Sequence, residues 1–525
     1  MGSQVITQPG RQVLSGVWRS RLVVAAAVLV LLFLAFYNLR YYPTTWFDEG
    51  SHLQVPKTLV NYGVYGYRSS EGFRYYGPTV GVGPTVMLPV AAMFKVFGVG
   101  LVQARVVVAC YMLVAILLFF IMAGRLGGRR VAVVATLLLV SSRGIDLVES
   151  GRQMLGEVPG LAFMLAGLLL WYLSWDKPTW PRLIGVGVLL GLASITKYQF
   201  FLVLAPTLLI SWILNLLYYR ASAQRVFLVP GIIVGLCFIL WQICLVLYLG
   251  PTTAGENLAA LREATLGAAL VFKPHLVSRA LNELLGQRSF LGALIPTLVF
   301  GLFLAAPRKR EAQKWGVLYV LIIFNFVWFA AASISWIRYA FPGLVFSALF
   351  VARFFSEVTG DFRLTRVEAR QALRDGAGSW PVALMRVTVL AWLTIMICIG
   401  LGRTLIELVT TNESAPIYLS NYLKEHVPTD VVVETWETEV GFLSDHNFHY
   451  PPQRLLNKGI AYVWLEGPSP SREYNFVQAQ HPAYIVVGDF ARWMDIYPPH
   501  VLAKYQFITQ VGGYDVYQWK GTGTP

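Results

Sequence analysis

The sequence predicts an α-helical polytopic membrane protein that ends in a small α/β domain. Of its 525 residues, 56% are hydrophobic and only 13% are charged, and the mean hydropathy is +0.57. Apolar stretches such as "RLVVAAAVLVLLFLAFYN" approach or exceed the roughly 20 residues that a helix needs to cross a hydrocarbon core. After about residue 404 the pattern changes to alternating, turn-rich sequence such as "PAYIVVGDF", which is typical of short strands. We therefore expect a membrane domain over residues 1–403 and a soluble extracytoplasmic domain over residues 404–525.

The basic clusters between the apolar stretches predict the orientation of the chain. Such clusters face the cytoplasm in membrane proteins, and here they lie near residues 125–130, 177–182, 218–225, 307–314 and 363–374. Counting from them gives about eleven spans and an outer C-terminal domain. The spans are expected near residues 21–37, 104–124, 131–146, 158–174, 183–200, 201–218, 226–249, 289–306, 315–335, 339–356 and 383–402.

One apolar piece, "GPTVMLPVAAMFKVFGVG", does not fit as a span. It is short and interrupted by Pro89 and Lys95, and counting it as a span would move the cluster near residues 125–130 to the outer side. We expect it to form an interfacial or re-entrant helix within the first outer loop.

The net charge of +14 is best explained by membrane topology. A nucleic-acid partner would favour basic residues along one solvated face, whereas these lie in short clusters between apolar stretches. We therefore expect no nucleic acid to bind and the lipid bilayer to be the main solvent. The expected location is a prokaryotic plasma membrane, with an uncleaved first span, because no small-residue cleavage site follows that span.

Charged residues from separate parts of the membrane domain are expected together on the outer side. They are Asp48, Glu49, Glu157, Lys197 and Arg338. Each also has a structural explanation that the sequence leaves open. An acid in a first helical turn can satisfy free backbone N–H groups, Glu157 can pair with Arg152, and a lysine at a helix end can extend its ammonium to the interface.

Acids and cations on one outer face, beside an apolar wall, suit the transfer of a sugar from a lipid phosphate. A carboxylate within hydrogen-bond reach can take the proton of an acceptor hydroxyl. Lysine and arginine can hold the phosphate, which leaves without a protonating acid because its second pKa is about 6. Nucleotide sugars are not normally available outside the cell, so a polyprenyl-phosphate donor is expected.

Four stretches, taken in order, resemble a known family. They are "DEGSHLQVPKTLVNYG", "GPTVMLPVAAMFKVFGVGLVQARVVVACYMLVAILLFFIMAGRLGG", "RQMLGEVPGLAFMLAGLLLW" and "GLASITKYQF". They resemble the GT-C membrane glycosyltransferases, in particular the protein O-mannosyltransferase and aminoarabinose transferase branch. The resemblance covers roughly the first 200 residues and extends to the later spans by architecture only. It implies a GT-C type fold.

The resemblance also implies roles for the outer-face residues. Asp48 would be the catalytic base, Glu49 would support it, and Glu157 would be a second acid near the acceptor or the donor sugar. Glu157 stands where the family often has aspartate, which moves the carboxylate by one methylene group. By analogy Lys197 and Arg338 would meet the donor phosphate. Some members use a divalent cation, and Asp48 with Glu49 could coordinate Mg²⁺ or Mn²⁺ through oxygen.

The sequence thus predicts an inverting glycosyltransferase that moves a single sugar from a polyprenyl-phosphate donor to a lipid, glycan or protein acceptor. A transporter and a membrane-anchored sensor or assembly protein are the alternatives. Intramembrane charge would suit a transporter, but the acids lie at span ends and the halves lack matching Gly/Pro breaks. In the outer domain, Asp445, His446 and His449 form a weaker candidate metal site, because exposed loops gather such residues freely.

Overall fold

The structure is a computed structural model that describes residues 10–75, 82–286, 290–362 and 380–521. Most of these residues are helical. The elements of the first half are α1 (Gly10–Phe36), α2 (Phe47–Tyr62), β1 (Tyr67–Ser69), β2 (Gly72–Arg74), α3 (Pro84–Phe97), α4 (Leu101–Gly127), α5 (Arg129–Ser141), α6 (Leu147–Ser150), α7 (Glu157–Ser174), α8 (Trp180–Thr196), α9 (Tyr198–Leu214) and α10 (Arg225–Leu249).

The second half continues with helices and then changes to a mixture of strands and short helices. Its elements are α11 (Pro251–Ala264), α12 (Pro274–Leu285), α13 (Leu294–Ala305), α14 (Arg310–Ala332), α15 (Phe341–Val358), α16 (Trp380–Thr410), α17 (Ala415–His426), β3 (Val432–Thr435), α18 (Thr438–Leu443), β4 (Asn447–His449), α19 (Gln453–Leu465), α20 (Phe476–Gln480), β5 (Tyr484–Val487), α21 (Asp489–Trp493), α22 (Pro499–Leu502), β6 (Tyr505–Val511) and β7 (Tyr514–Trp519).

The predicted helical membrane fold is confirmed, and the chain is an integral membrane protein. Within the described ranges, a helix lies in each of the eleven predicted spans. Among the described residues, seven helical segments are by length and composition apolar enough to cross a membrane: Leu101–Gly127, Glu157–Ser174, Tyr198–Tyr219, Arg225–Leu249, Arg310–Ala332, Ile337–Val358 and Pro381–His426. The shorter apolar helices are Arg21–Phe36, Pro84–Phe97, Trp180–Thr196 and Leu294–Ala305.

Several predicted span limits differ from the helices observed. The helix in span 131–146 ends at Ser141, and the helix in span 289–306 begins at Leu294. The junction predicted between residues 200 and 201 lies instead at Lys197, whose extended backbone (φ −153°, ψ 128°) separates α8 from α9. The polar residues Lys197 and Gln199 mark this break in the sequence, and the prediction placed it a few residues too late.

Small residues allow three neighbouring helices to approach closely. A Cβ atom on Gly167 of α7 would lie 2.6 Å from a methyl group of Leu190 in α8. One on Gly187 of α8 would lie 2.4 Å from the Cβ of Ile233 in α10. Such close backbone approach is typical of helix packing in membranes, where dispersion replaces the hydrophobic effect as the attraction.

The C-terminal region forms the predicted α/β structure around one mixed sheet. Its strand order is β4-β3-β5-β7-β6, with β3 parallel to both β4 and β5 and the other pairs antiparallel. The predicted domain boundary between Arg403 and Thr404 falls inside α16, which continues to Thr410. The division into two independent domains stays a prediction.

Helix α2 is held against the C-terminal region by hydrogen bonds and by one close backbone contact. Thr438 Oγ1 donates to the Phe47 carbonyl at 2.6 Å, and Gln54 Nε2 donates to the Thr438 carbonyl at 3.2 Å. The contact is tight at Gly50, where a Cβ atom would lie 2.2 Å from the backbone nitrogen of Glu439. The position of α2 therefore depends on residues nearly four hundred positions later in the chain.

Replacing Gly50 by alanine should weaken this contact, because backbone atoms cannot yield as a side chain can. Overpacking of this kind costs about 1–3 kcal/mol, and we expect a lower midpoint of thermal unfolding in detergent. Gly235→Ala in α10 is the matched control, since nothing lies within 4 Å of the added Cβ there. Equal midpoints for the two variants would contradict the prediction.

Candidate active site

Four of the five predicted site residues meet at one end of the helix bundle. Asp48 lies in the first turn of α2, Glu157 begins α7, and Lys197 lies between α8 and α9. Arg338 lies in the short 3₁₀ turn Ile337–Ala340, just before α15. Four separate elements thus supply two carboxylates and two cations to one place.

The four charges form two ion pairs. Arg338 Nη1 lies 2.5 Å from Asp48 Oδ2, and the Lys197 ammonium pairs with the Glu157 carboxylate. The pairs also interact with each other, since Glu157 attracts Arg338 and Asp48 attracts Lys197. Because each buried charge has a counter-ion, the site is electrostatically balanced without a ligand.

The guanidinium of Arg338 is held from several sides. It lies 3.8 Å from the ring centroid of Trp336 and 5.5 Å from that of Trp46, which is cation–π geometry. Gln199 Nε2 donates to the carbonyls of Arg338 and Tyr339 at 3.1 and 2.9 Å. The buried Nε of Arg338 has no hydrogen-bond partner among the described residues. The side chain is therefore fixed while one of its donors stays unused.

Glu157 also keeps an unused polar atom. One of its oxygens accepts from Lys197, whereas the buried Oε2 has no partner among the described residues. The alternative prediction, in which Glu157 pairs with Arg152, is wrong. The Arg152 guanidinium donates instead to the carbonyls of Leu34 and Tyr37 at 2.5 Å. Arg152 binds there because the C-terminal end of α1 leaves backbone carbonyls without a donor inside the helix.

Glu49 differs from its neighbour Asp48 in both burial and partner. Arg105 of α4 donates to both Glu49 oxygens, at 2.8 Å from Nε and 2.5 Å from Nη2, and both side chains are fully buried. The backbone N–H of Met154 also donates to Glu49 Oε1, at 3.2 Å. The structure thus separates Glu49 from the four-charge cluster and makes it an anchor for the start of α2.

The proposed shared cation site on Asp48 and Glu49 does not fit these contacts. The two carboxylates are adjacent in sequence, but one faces Arg338 and the other is enclosed by Arg105. Across the described residues there is no group of three or more His, Cys, Asp or Glu side chains that could hold a metal ion. The residues therefore offer Mg²⁺ or Mn²⁺ no oxygen ligand set at this point.

The three C-terminal candidates for a metal site also have separate partners. Asp445 pairs with Lys57 at 2.9 Å, and His446 Nε2 contacts the carbonyls of Leu423 and Val427. His449 pairs through one nitrogen with buried Glu434 and through the other with Glu71, so its ring is fully engaged.

Two cavities border the four-charge cluster on different sides. The first, which we call the apolar cavity, has a volume of about 220 Å³. Asp48, His52, Lys197 and Arg338 line it together with apolar side chains such as Leu202, Ala264, Ala268 and Trp328. The second, the polar cavity, has a volume of about 310 Å³. Glu157, Gln153, Glu149 and Arg143 line it, and Trp336 and Arg338 line both.

Sequence reasoning missed three residues of this region. Arg105 carried a signal, since a lone arginine within an apolar span needs an acidic partner. His52 follows Asp48 by four positions and therefore shares its helix face. Trp46 precedes the acids and packs edge-on against Trp336, with ring centroids 6.0 Å apart; no local signal links these two residues.

His52 is buried, and its imidazole is oriented by a backbone carbonyl. Its Nδ1 lies 2.8 Å from the Met154 carbonyl oxygen, which can only accept, so Nδ1 carries the proton. Burial lowers the pKa of His52 below its ordinary value, although nearby Asp48 acts in the opposite sense. The ring is therefore neutral near pH 7, with an unprotonated Nε2.

One family model and several solved structures are similar to this chain. The family model described as dolichyl-phosphate-mannose-protein mannosyltransferase matches residues 82–244. No curated protein sequence matches the chain. A crystal structure of ArnT from Cupriavidus metallidurans bound to undecaprenyl phosphate is 16% identical, with a TM-score of 0.63 over 94% of this chain and 97% of that chain.

Archaeal oligosaccharyltransferases have a similar fold. The structure of AglB from Archaeoglobus fulgidus with an inhibitory peptide and a dolichol-phosphate is 13% identical, with a TM-score of 0.57 over 97% of this chain and 75% of that chain. A structure of the same organism's oligosaccharyltransferase in complex with Zn and sulfate is 14% identical, with a TM-score of 0.57 over 94% and 73% of the two chains. At these identities the likeness is one of fold, and the predicted GT-C fold is confirmed.

Glu49→Gln should destabilise the protein strongly, because Arg105 would keep a buried charge without a counter-ion. Removing one partner of a buried pair costs about 3–5 kcal/mol, and the midpoint of thermal unfolding in detergent measures it. The control is Glu311→Gln, which also removes an ion-paired acid from a first helical turn but one whose side chain is 76% exposed. A midpoint for Glu49→Gln as high as that of the control would contradict the anchoring role.

Proposed function

We propose that the protein is an inverting glycosyltransferase that moves a single sugar from a polyprenyl-phosphate donor to an acceptor hydroxyl. The observation that carries the proposal is the convergence of Asp48, Glu157, Lys197 and Arg338 beside an apolar cavity. The comparisons support it, because the matching family is named for dolichyl-phosphate mannose and the ArnT structure holds undecaprenyl phosphate.

Arg338 and Lys197 would hold the donor phosphate. Arg338 is already fixed between two tryptophan rings and has its Nε free to donate. A guanidinium offers a planar set of donors that suits phosphate, and charge-assisted hydrogen bonds are the stronger class. The apolar wall that includes Leu202 and Trp328 suits the first isoprene units of the lipid. Lys197 also lines this cavity and its side chain is only 12% exposed, so water screens its attraction for phosphate poorly.

Asp48 would act as the general base. Its carboxylate takes the proton of the acceptor hydroxyl while the hydroxyl oxygen forms a bond to the anomeric carbon. The bond between that carbon and the phosphate oxygen breaks, and the electron pair leaves with the phosphate, whose charge the two cations stabilise. One displacement inverts the anomeric centre. No acid is needed for the leaving group, because phosphate departs as an anion.

Glu157 would meet the acceptor. Its Oε2 is buried, unpartnered among the described residues, and belongs to a side chain that lines the polar cavity. A carboxylate oxygen of this kind can accept a hydrogen bond from a second hydroxyl of a lipid, glycan or protein acceptor. Glu49 would act only by positioning α2, since Arg105 encloses its carboxylate.

The proposal places the reaction on the outer face of a prokaryotic plasma membrane. The basic clusters between the helices support this orientation through the positive-inside rule. On that side, residues 404–525 would form an extracytoplasmic domain above the site, and lipid-linked sugars would be the available donors.

Asp48→Asn should slow transfer severely while the protein stays folded, since the amide cannot take the proton. General-base catalysis contributes roughly 10²–10⁴-fold, so the loss should lie in that range. The assay is release of free polyprenyl phosphate from a panel of radiolabelled polyprenyl-phosphate sugars in proteoliposomes, with acceptor-enriched membrane extract.

The matched control for Asp48→Asn is Asp489→Asn. Asp489 also lies in a first helical turn and pairs with an arginine, but its side chain is 95% exposed. Turnover by Asp48→Asn equal to that of the control would remove Asp48 as the base. Release from no donor of the panel, with folded wild-type protein, would overturn the proposed function in favour of a transporter or a sensor.

Lys197→Met should weaken donor binding more than it slows turnover at saturation. Loss of one hydrogen bond to a charged group is worth about 1.5–3 kcal/mol, so the apparent donor Kd should rise roughly tenfold or more. Because this change also leaves Glu157 without its counter-ion, the double variant with Glu157→Gln separates the two effects. Lys458→Met, which breaks an exposed pair with Glu473, is the control. A donor Kd that matches the control would show that Lys197 does not meet the phosphate.

A further inference from the structure

His52 is a buried polar residue that has no role in the proposed reaction. It lies one helical turn after Asp48 and lines the apolar cavity with Asp48, Lys197 and Arg338. Its residue exposure is only 4%. Burying an imidazole beside two cations is costly unless the polar atoms of the ring find hydrogen-bond partners.

The ring has one nitrogen anchored and one unused. Nδ1–H donates to the Met154 carbonyl at 2.8 Å. Among the described residues, Nε2 has no hydrogen-bond partner. The backbone of Met154 makes a second hydrogen bond here, because its N–H donates to the Glu49 carboxylate. The imidazole is thus held in one tautomer and one orientation by the structure that anchors α2.

We propose that His52 Nε2 accepts a hydrogen bond from a hydroxyl of the donor sugar and thereby determines which sugar is transferred. The inference rests on the proposed function and names the part of the donor that His52 contacts. His52 would be a specificity-determining residue, and it would take no proton in the reaction.

The chemistry of the neutral ring selects the sugar over the phosphate. An unprotonated Nε2 is an acceptor only, so it repels phosphate oxygens and pairs only with a group that carries hydrogen. The phosphate has Lys197 and Arg338 in the same cavity, and the sugar is joined to that phosphate by one bond. A hydroxyl of the sugar therefore comes within reach of the helix face that Asp48 and His52 share.

The side-chain amide of Asn457 also has unpaired polar atoms, which supports a polar ligand in this cavity. Asn457 of α19 also lines it, and both its Nδ2 and its Oδ1 are buried without a hydrogen-bond partner among the described residues. A buried donor and acceptor left unpaired are costly and call for a partner. A ligand that is purely hydrocarbon would leave Asn457 and His52 unsatisfied, whereas a sugar carries both donors and acceptors.

The test is diethyl pyrocarbonate footprinting of the full-length wild-type protein in nanodiscs. This reagent modifies unprotonated histidine nitrogens, and mass spectrometry reads each histidine separately. The probes are no lipid, undecaprenyl phosphate, and undecaprenyl-phosphate mannose or whichever sugar of the panel gave release. Exposed His426 and His481 serve as reactive references, and His446, buried and bonded through both nitrogens, as an unreactive one.

We expect His52 to react in the lipid-free protein and to be protected by the sugar-bearing lipid alone. Protection follows occupancy, so it should be about tenfold at roughly ten times the lipid Kd. Equal protection by undecaprenyl phosphate would overturn the inference, as would a His52 that never reacts. A sugar lipid that gives release without protecting His52 would overturn the inference and leave the proposed function intact. No release with any sugar would overturn the proposed function and the inference with it.

A kinetic cycle tests the same contact through selectivity. With wild type, one monodeoxy analogue of the donor should lose roughly tenfold to a hundredfold in kcat/KM, because Nε2 would lack its partner. With His52→Phe, the parent and that analogue should be used equally well. His52→Gln, which restores an acceptor near the position of Nε2, should recover part of the difference. An unchanged selectivity in a folded His52→Phe protein would overturn the inference, and the footprint decides alone if that variant does not fold.

Discussion

The ion pair between Glu49 and Arg105 is the constraint on which the rest of the site depends. Both side chains are fully buried, and Arg105 also donates to the Leu39 carbonyl and to Thr45 Oγ1, in the segment that leads into α2. A buried charge without its partner is expensive, so this segment has one favourable position against α4. The Glu49–Arg105 pair thereby also positions Asp48 at the cavity, because Asp48 directly precedes Glu49 in α2.

The two adjacent acids therefore contribute in different ways. Glu49 has a permanent counter-ion, and its carboxylate is closed to any ligand. Asp48 faces a cavity with an arginine that two tryptophan rings hold. Glu157 and Lys197 form a second ion pair beside the first, so the four charges of the cluster balance without a ligand. In the proposed reaction, the donor phosphate would accept a hydrogen bond from the Nε–H that Arg338 leaves unpaired among the described residues.

The C-terminal region packs beside the site and also contributes residues to it. It holds α2 through Thr438 and the close contact at Gly50, and it supplies Asn457 and Trp464 to the wall of the apolar cavity. This region therefore supplies part of the cavity wall beside the membrane helices. Changes in this region should therefore reach the site through α2.

The sequence by itself determined the helical membrane fold, the approximate positions of the helices and four of the charged residues that meet at the cavities. Hydropathy and charge clusters record where helices can lie in lipid, because every buried backbone group there must be satisfied within the helix. The same patterns could not assign partners: Asp48 with Arg338, Glu157 with Lys197 and Glu49 with Arg105 join residues far apart in the chain. Only the tertiary structure decided which of two neighbouring acids reaches the cavity, since that depends on how helices pack and not on local pattern.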